Sequence, residues 1–139
     1  MSIIEAVRSF LRTCPLLAGE RLNVDFLPEE AKTYSIDVVP CRAILEEYID
    51  GSSLRQFLFV ISSREFHGQE LKTNVGNLAF YEHLGDWMEA QSRAMVLPAM
   101  AFGKRADKIE VLTSGYALSS DAKTARYQIQ CRLVYGQAE

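Results

Sequence analysis

The sequence has few of the residues from which metal and catalytic sites are commonly built. Its 139 residues include two histidines, His67 and His83, and neither stands at metal-ligand spacing from a cysteine or from the other histidine. A zinc or iron site would therefore need ligands collected from distant parts of the chain. We expect no metal, no cofactor and no catalytic residue.

Sequence motifs of common enzyme classes are missing as well. The segment FGKRADK contains Gly-Lys but lacks the spaced glycines and the following Ser or Thr of a phosphate-binding loop. No Gly-x-Ser-x-Gly turn surrounds any of the serines. The carboxylates of Glu46 and Glu47 are neighbours in a predicted strand, where adjacent side chains point to opposite faces and cannot act on one bond. The sequence predicts a protein that is not an enzyme.

Cysteine, positive charge and long apolar runs are also scarce. Three widely separated cysteines, Cys14, Cys41 and Cys131, favour buried reduced thiols over a disulfide framework. A net charge of −3 argues against a protein whose main work is binding phosphate backbones. No apolar run approaches the roughly 18 residues that span a bilayer, so we expect no membrane association and a chain kept in the cytoplasm.

The hydrophobic content and the helix and strand patterns of the sequence predict one α+β domain over residues 1–139. Hydrophobic residues make up 48% of the chain, enough for a core. Ser2 and Glu5 form the pattern of a capping box at the start of a first helix. A second, long amphipathic helix is predicted from Glu70 to Ala94, with a break near Gly76 and a close approach to the sheet at Gly85. Its predicted apolar face consists of Leu71, Val75, Leu78, Tyr81, Leu84, Met88 and Gln91.

Alternating apolar residues predict the strands. They occur from Arg21 to Phe26, from Tyr34 to Val38, and from Ala125 to Tyr135. Between them, Asp50-Gly51-Ser52-Ser53 separates two arms of a hairpin over Ile44–Phe66. The middle of its second arm, FLFVI, is apolar at every position, which is typical of a central strand covered on both faces by helices or by another subunit. A further strand from Lys108 to Leu118 should contain a bulge at Gly115.

These elements give the order α-β-β-β-β-α-β-β. Strands joined by short turns favour antiparallel pairing, so we expect a mostly antiparallel sheet of about six strands, packed by the N-terminal helix and the long helix. A compact domain with strong strands and no catalytic constellation is best explained as a part that binds proteins through its sheet edges and loops. The candidate oligomer-interface residues are Glu46, Glu47, Asp50, Arg55 and Arg64 of the hairpin, with Lys104, Arg105 and Lys108 of a loop predicted over residues 98–108.

Three segments resemble a known family. They are NVDFLPEEAKTYSIDVVP, YIDGSSLRQFLFVISSREF and TARYQIQCRLVYGQ. They are similar to small minor capsid or tail-terminator (tail completion) proteins of tailed phages and prophages of Gram-positive bacteria, some of which carry the label chloramphenicol resistance protein. An acetyltransferase would show a His-x-x-x-Asp-Gly motif, whereas His67 is followed by GQEL and His83 by LGDW. The resemblance covers nearly the whole chain, and its motifs are structural.

The resemblance implies a structural virion protein, assembled in the bacterial host cytoplasm. It would form a homo-oligomeric, hexameric ring that caps the tail tube and takes part in head–tail joining. Its partners would be copies of itself, the tail tube protein and the head-connector protein, and DNA would pass through without specific binding. Two alternatives stay open. One is a small α+β enzyme with a site assembled from distant residues, recognisable by a deep pocket that holds a histidine and a carboxylate. The other is a monomeric host-side binding module.

Overall fold

The computed structural model describes residues 1–28, 33–66, 71–120 and 124–139. Within them the chain forms two α-helices and a seven-stranded sheet, which confirms the α+β class and the mostly antiparallel pairing. A short 3-10 turn, Pro15–Leu17, follows the first helix. In chain order the elements are α1 Ile3–Leu11, β1 Leu22–Val24, β2 Thr33–Val39, β3 Ile44–Glu47, β4 Ser53–Phe66, α2 Leu71–Arg93, β5 Lys104–Val111, β6 Tyr116–Ser120 and β7 Thr124–Gln137.

Two long antiparallel strands form the centre of the sheet. β4 and β7 pair over 14 residues each, from Ser53 opposite Gln137 to Phe66 opposite Thr124. At about 3.3 Å per residue this ribbon is roughly 45 Å long. The other edge of β4 binds β2 and β3, and the other edge of β7 binds β5 and β6. The prediction that FLFVI lies in a central strand is confirmed.

The first two strands are adjacent, as expected, but they pair in parallel. At the end of β1, Asp25 has a φ of 52°, so the chain leaves the strand in a left-handed conformation. Its N–H donates to the carbonyl of Ile36 at 2.9 Å, and its Oδ1 accepts from the N–H of Val38 at 3.0 Å. Asp25 thus holds the end of β1 beside β2, and the sheet is mixed.

Both helices cover one face of the sheet. The predicted capping box of α1 is confirmed, with Ser2 Oγ accepting from the N–H of Glu5 and Glu5 Oε1 accepting from the N–H of Ser2. The rings of Phe10 in α1 and Trp87 in α2 lie 5.2 Å apart and join the helices. The buried side chains of the two helices share one core with those of the sheet: Val7, Phe10, Leu11, Tyr81, Leu84, Met88, Ile36, Phe59, Ile61, Ile109, Ile129, Cys131 and Leu133.

Two expectations for α2 are wrong. The helix runs unbroken past Gly76, which faces open space, so no neighbour forces a kink there. Of the predicted apolar face, Tyr81, Leu84 and Met88 are buried as expected, but Val75 and Leu78 are about half exposed, at 54% and 48%, and the polar Asn77 is buried. Gly85 faces the sheet as expected, but the approach is not unusually close, because a Cβ there would make an ordinary van der Waals contact at 3.6 Å from Ile129 Cδ1.

The strand predicted over residues 108–118 is two strands. β5 ends at Val111 and β6 begins at Tyr116. Gly115 lies between them, where a Cβ would come within 2.3 Å of Tyr81 Cβ. It therefore marks a contact with α2 and is not the site of a strand bulge. The bulge of β5 lies between Ala106 and Lys108, so that Ala106 packs on the core while Lys108 is exposed.

Two further findings concern burial. Cys14 and Cys131 are buried as expected, but Cys41 is exposed because it lies in the segment before β3, outside the core. Among the described residues, helices cover only one face of the FLFVI segment, and cover of its other face by another subunit stays a prediction. Phe59 and Ile61 face the helices, whereas Leu58 and Val60 belong to the opposite face, which carries polar side chains from β2, β4, β5 and β7.

Candidate assembly surfaces

The predicted hairpin is present, and its turn lies beside the start of β5. Asp50 Oδ1 accepts from the N–H of Ser52 at 2.9 Å and closes the turn. Ser53 stands opposite Gln137, and Gln137 stands opposite Lys104. The turn, the residues before β5 and the end of β7 therefore form one end of the sheet, which we call the hairpin end. Six of the eight candidate interface residues lie there: Glu46, Glu47, Asp50, Arg55, Lys104 and Arg105.

The other two candidates lie elsewhere. Arg64 is nine residues beyond Arg55 on β4, a distance of roughly 30 Å along the strand. Lys108 lies on the face away from the helices and forms an ion pair with Glu110 at 2.7 Å. The basic cluster also differs from its prediction, because Lys104, Arg105 and Lys108 lie in β5 and not in a loop. The loop before β5 ends at Gly103.

Charge pairs do not set the register of the hairpin. Glu46 stands opposite Leu54, Glu47 opposite Ser53 and Arg55 opposite Ile44. Arg55 Nε donates to Ser53 Oγ at 2.9 Å, and Glu46 Oε2 accepts from the Tyr48 hydroxyl at 3.5 Å. In the part of the chain that the structure describes, no ion pair joins two of the candidate interface residues of the hairpin. The charges of the hairpin therefore remain available to a partner.

Two large apolar side chains at the hairpin end are fully exposed. Ile49 at the turn has a relative exposure of 109%, and Phe102 before β5 has 106%. Tyr48, at 45%, stands beside Ile49. An apolar side chain in contact with water is unfavourable by about 25 cal/mol per Å² of surface relative to burial. Both side chains would therefore gain from burial in a protein contact.

Helix side chains cap the outer strands of the sheet at two points. Arg8 of α1 donates from Nε to the carbonyl of Leu22 in β1 at 2.9 Å. Ser92 of α2 accepts the N–H of Ile109 in β5 at 3.2 Å. A strand added at either position would have to displace these bonds, since an added strand needs free amides and carbonyls. Contacts through loop tips are thus favoured over strand addition at β1 and β5.

A polar network covers the sheet face away from the helices. Arg126 donates to Asp37 Oδ2 at 2.6 Å and to Ser62 Oγ at 3.2 Å. Farther along, Glu110 accepts from Lys108 at 2.7 Å and from Arg132 at 2.6 Å. The Lys108 hydrogen bond, followed by that of Arg132, holds the pKa of Glu110 below its ordinary value. In the sequence, this network is indicated only by the polar residues at alternate positions in β7. That pattern does not reveal which residues they hydrogen-bond to.

A groove lies between α2 and the segment that joins β5 to β6. It has a volume of ≈ 540 Å³. Its apolar walls come from Leu78, Tyr81, Gly85, Val111 and Ile129, and Leu112–Gly115 closes the side opposite the helix. The exposed carboxylates of Glu82, Asp86 and Glu89 stand on its helix side. We call it the α2 groove; none of its residues was a predicted site residue.

The described residues show no catalytic grouping around a histidine. His83 is exposed on α2 and does not line the α2 groove, and His67 lies outside the described residues. A search of the described part of the chain finds no group of three His, Cys, Asp or Glu residues placed to hold a metal. Among these residues there is also no helix with the length and apolar character needed to span a membrane.

Buried reactive side chains have structural partners or apolar surroundings. Burial raises the pKa of the Cys14 and Cys131 thiols, which stay protonated at neutral pH. Burial also raises the pKa of Tyr81, whose hydroxyl lies 2.6 Å from Ser63 Oγ and donates to the carbonyl of Tyr127 at 3.2 Å. These hydrogen bonds tie α2 to β4 and β7.

Comparison of the chain with protein-family models found no match, and comparison with curated proteins found none either. The phage resemblance therefore remains a prediction from the sequence.

Proposed function

We propose that the chain is a structural component of a phage virion that works by binding copies of itself and neighbouring virion proteins. In this proposal it is a tail terminator: a ring of six subunits that caps the tail tube and presents a surface to the head connector. The DNA passes through the ring, and no bond is made or broken.

The observation that carries the proposal is the full exposure of Ile49 and Phe102 at the hairpin end. Exposed apolar side chains grouped on one part of a surface are typical of sites where proteins bind one another. The same end holds the charges of Glu46, Glu47 and Arg55, which form no ion pair with another described residue and can give such a contact its specificity. The resemblance of the sequence to tail-completion proteins supplies the virion context.

Deletion of the gene from a phage that carries it tests the proposal. Tail-tube growth would lose its stop and heads would fail to join tails, so we expect a loss of infectious particles, with free heads and tubes of irregular length in electron micrographs. Expression of the intact chain from a plasmid should restore the titre. An unchanged titre without the gene would overturn the virion role.

Electron microscopy of the purified chain tests the ring. Mixed with isolated tail tubes, the chain should appear as added density at one end of each tube. Tubes incubated with buffer alone are the control. Density along the whole tube, or at neither end, would contradict a terminator.

A further inference from the structure

We propose that Phe102 of one copy inserts into the α2 groove of the next copy, with Lys104 and Arg105 placed against Glu82, Asp86 and Glu89 at its rim. The inference rests on the proposed self-assembly and names the two surfaces that meet.

The shape and composition of the α2 groove fit an aromatic side chain. Its volume of ≈ 540 Å³ lies within the range of roughly 300–1,000 Å³ typical of sites that enclose a ligand-sized group. Val111 and Ile129 make the floor apolar, and Gly85 and Gly115, which also line the groove, add no side chain to it. Leu78, 48% exposed, stands at the opening and would be covered by the incoming ring.

Charge selects Phe102 over Ile49 as the occupant. Phe102 is followed by Lys104 and Arg105, which take part in none of the ion pairs found within the described residues. Ile49 is followed by Asp50 and preceded by Glu46 and Glu47. The rim of the groove carries three carboxylates, so it attracts the basic segment and repels the acidic one.

Phe102 cannot fill the groove of its own chain. Lys104 stands opposite Gln137 and Val111 stands opposite Cys131, so the hairpin end and the groove lie seven residues of β5 apart. At about 3.3 Å per residue this separation is roughly 23 Å. Two different surfaces of one chain that fit each other form a head-to-tail contact, which closes into a ring when the rotation between copies permits.

Two variants that each remove one surface give the sharpest test. Phe102→Ala removes the inserting ring, and Leu78→Arg places a charged side chain at the groove opening. Each variant alone should lose self-association by at least about 30-fold, the effect of removing an interface hot spot. Mixed together they should form a 1:1 dimer and no larger species in sedimentation velocity, because one intact groove and one intact Phe102 remain. Phe26→Ala, which truncates an exposed aromatic side chain (62%) outside both surfaces, is the matched control and should assemble like the original chain. A Phe102→Ala protein that assembles normally, or a mixture that stays monomeric, overturns the inference.

A crosslinking experiment tests the same contact when the isolated chain associates only weakly. Photoreactive benzoylphenylalanine at position 102 should crosslink to residues 78–89 or 111–115 of a second copy, mapped by mass spectrometry. The same group at position 49 should not label these residues. Crosslinks elsewhere, or no dimer, would refute the Phe102 contact, while the gene deletion decides the virion role separately.

Discussion

At Gly115 the β5–β6 connection packs directly against Tyr81 of α2. The nearest atom to a Cβ at this position would be Tyr81 Cβ, which is fixed to the helix backbone and cannot swing away. Gly76, in contrast, lies on the exposed side of the same helix with nothing within 4 Å. The effects of adding a methyl group at a crowded position and at an open one can therefore be compared at these two glycines.

Gly115→Ala should destabilise the chain by about 1–3 kcal/mol, because either α2 or the β5–β6 connection must shift to admit the methyl group. Gly76→Ala should stabilise it by about 0.5–1 kcal/mol, since alanine has the higher helix propensity. Urea unfolding followed by circular dichroism measures both changes. A Gly115→Ala protein as stable as the original would show that the contact with Tyr81 is looser than the structure has it.

At the scale of elements, local signals predict the helices and the hairpin well. The capping box of Ser2 and Glu5, the turn at Asp50-Gly51 and the alternation in β7 each need only neighbouring residues. The division of the predicted strand into β5 and β6 depends on the contact between Gly115 and α2. The bulge in β5 interrupts the alternation of apolar and polar residues by which a strand is recognised. The parallel pairing of β1 depends on Asp25 reaching β2. Sequence patterns do not contain these long-range contacts.

The candidate interface residues were predictable only in part. The turn residues of the hairpin predicted an interface at its tip, and the basic cluster predicted one at what is the start of β5. Full exposure of Ile49 and Phe102 could not be predicted, because an apolar residue near a turn is as compatible with burial as with exposure. The α2 groove combines residues of α2, β5 and β7, so its existence depends on tertiary packing.

The polar face makes a pH-dependent contribution to stability. Glu110 has a pKa below its ordinary value of 4.5, so its ion pairs stabilise the fold above that pH and are lost as the pH falls through the lowered value. Glu110→Gln should therefore reduce the free energy of unfolding at pH 7 by up to about 1 kcal/mol, and the difference should vanish in acid. Thermal unfolding at a series of pH values from 7 to 2 measures it, with Glu47→Gln as the exposed control. A difference that does not shrink as the pH falls below 4.5 would contradict the assignment.

On the scale of the whole molecule, one core joins both helices to β1, β2, β4, β5 and β7. Such a core should unfold in a single step. We expect the fluorescence of Trp87, which packs against Phe10, and the circular dichroism of the backbone to change together on heating. By size scaling the unfolding enthalpy should be on the order of 100 kcal/mol.

The heating experiment should be repeated over a range of protein concentrations, since self-association would raise the transition temperature as concentration rises. Two transitions that separate with the choice of probe would show that the helices and the sheet unfold independently, and would contradict a single domain.

The bulge in β5 makes Asp107 a tolerant position for shortening the chain. The ladder pairs Ala106 with Tyr135 and Lys108 with Val134, and Asp107 is the additional residue between them. Loss of Asp107 would leave every other pair of β5 as it is and produce a straighter strand, because a bulge adds local twist. A chain shortened by this one residue thus keeps the same ladder while aiming Phe102 in a different direction.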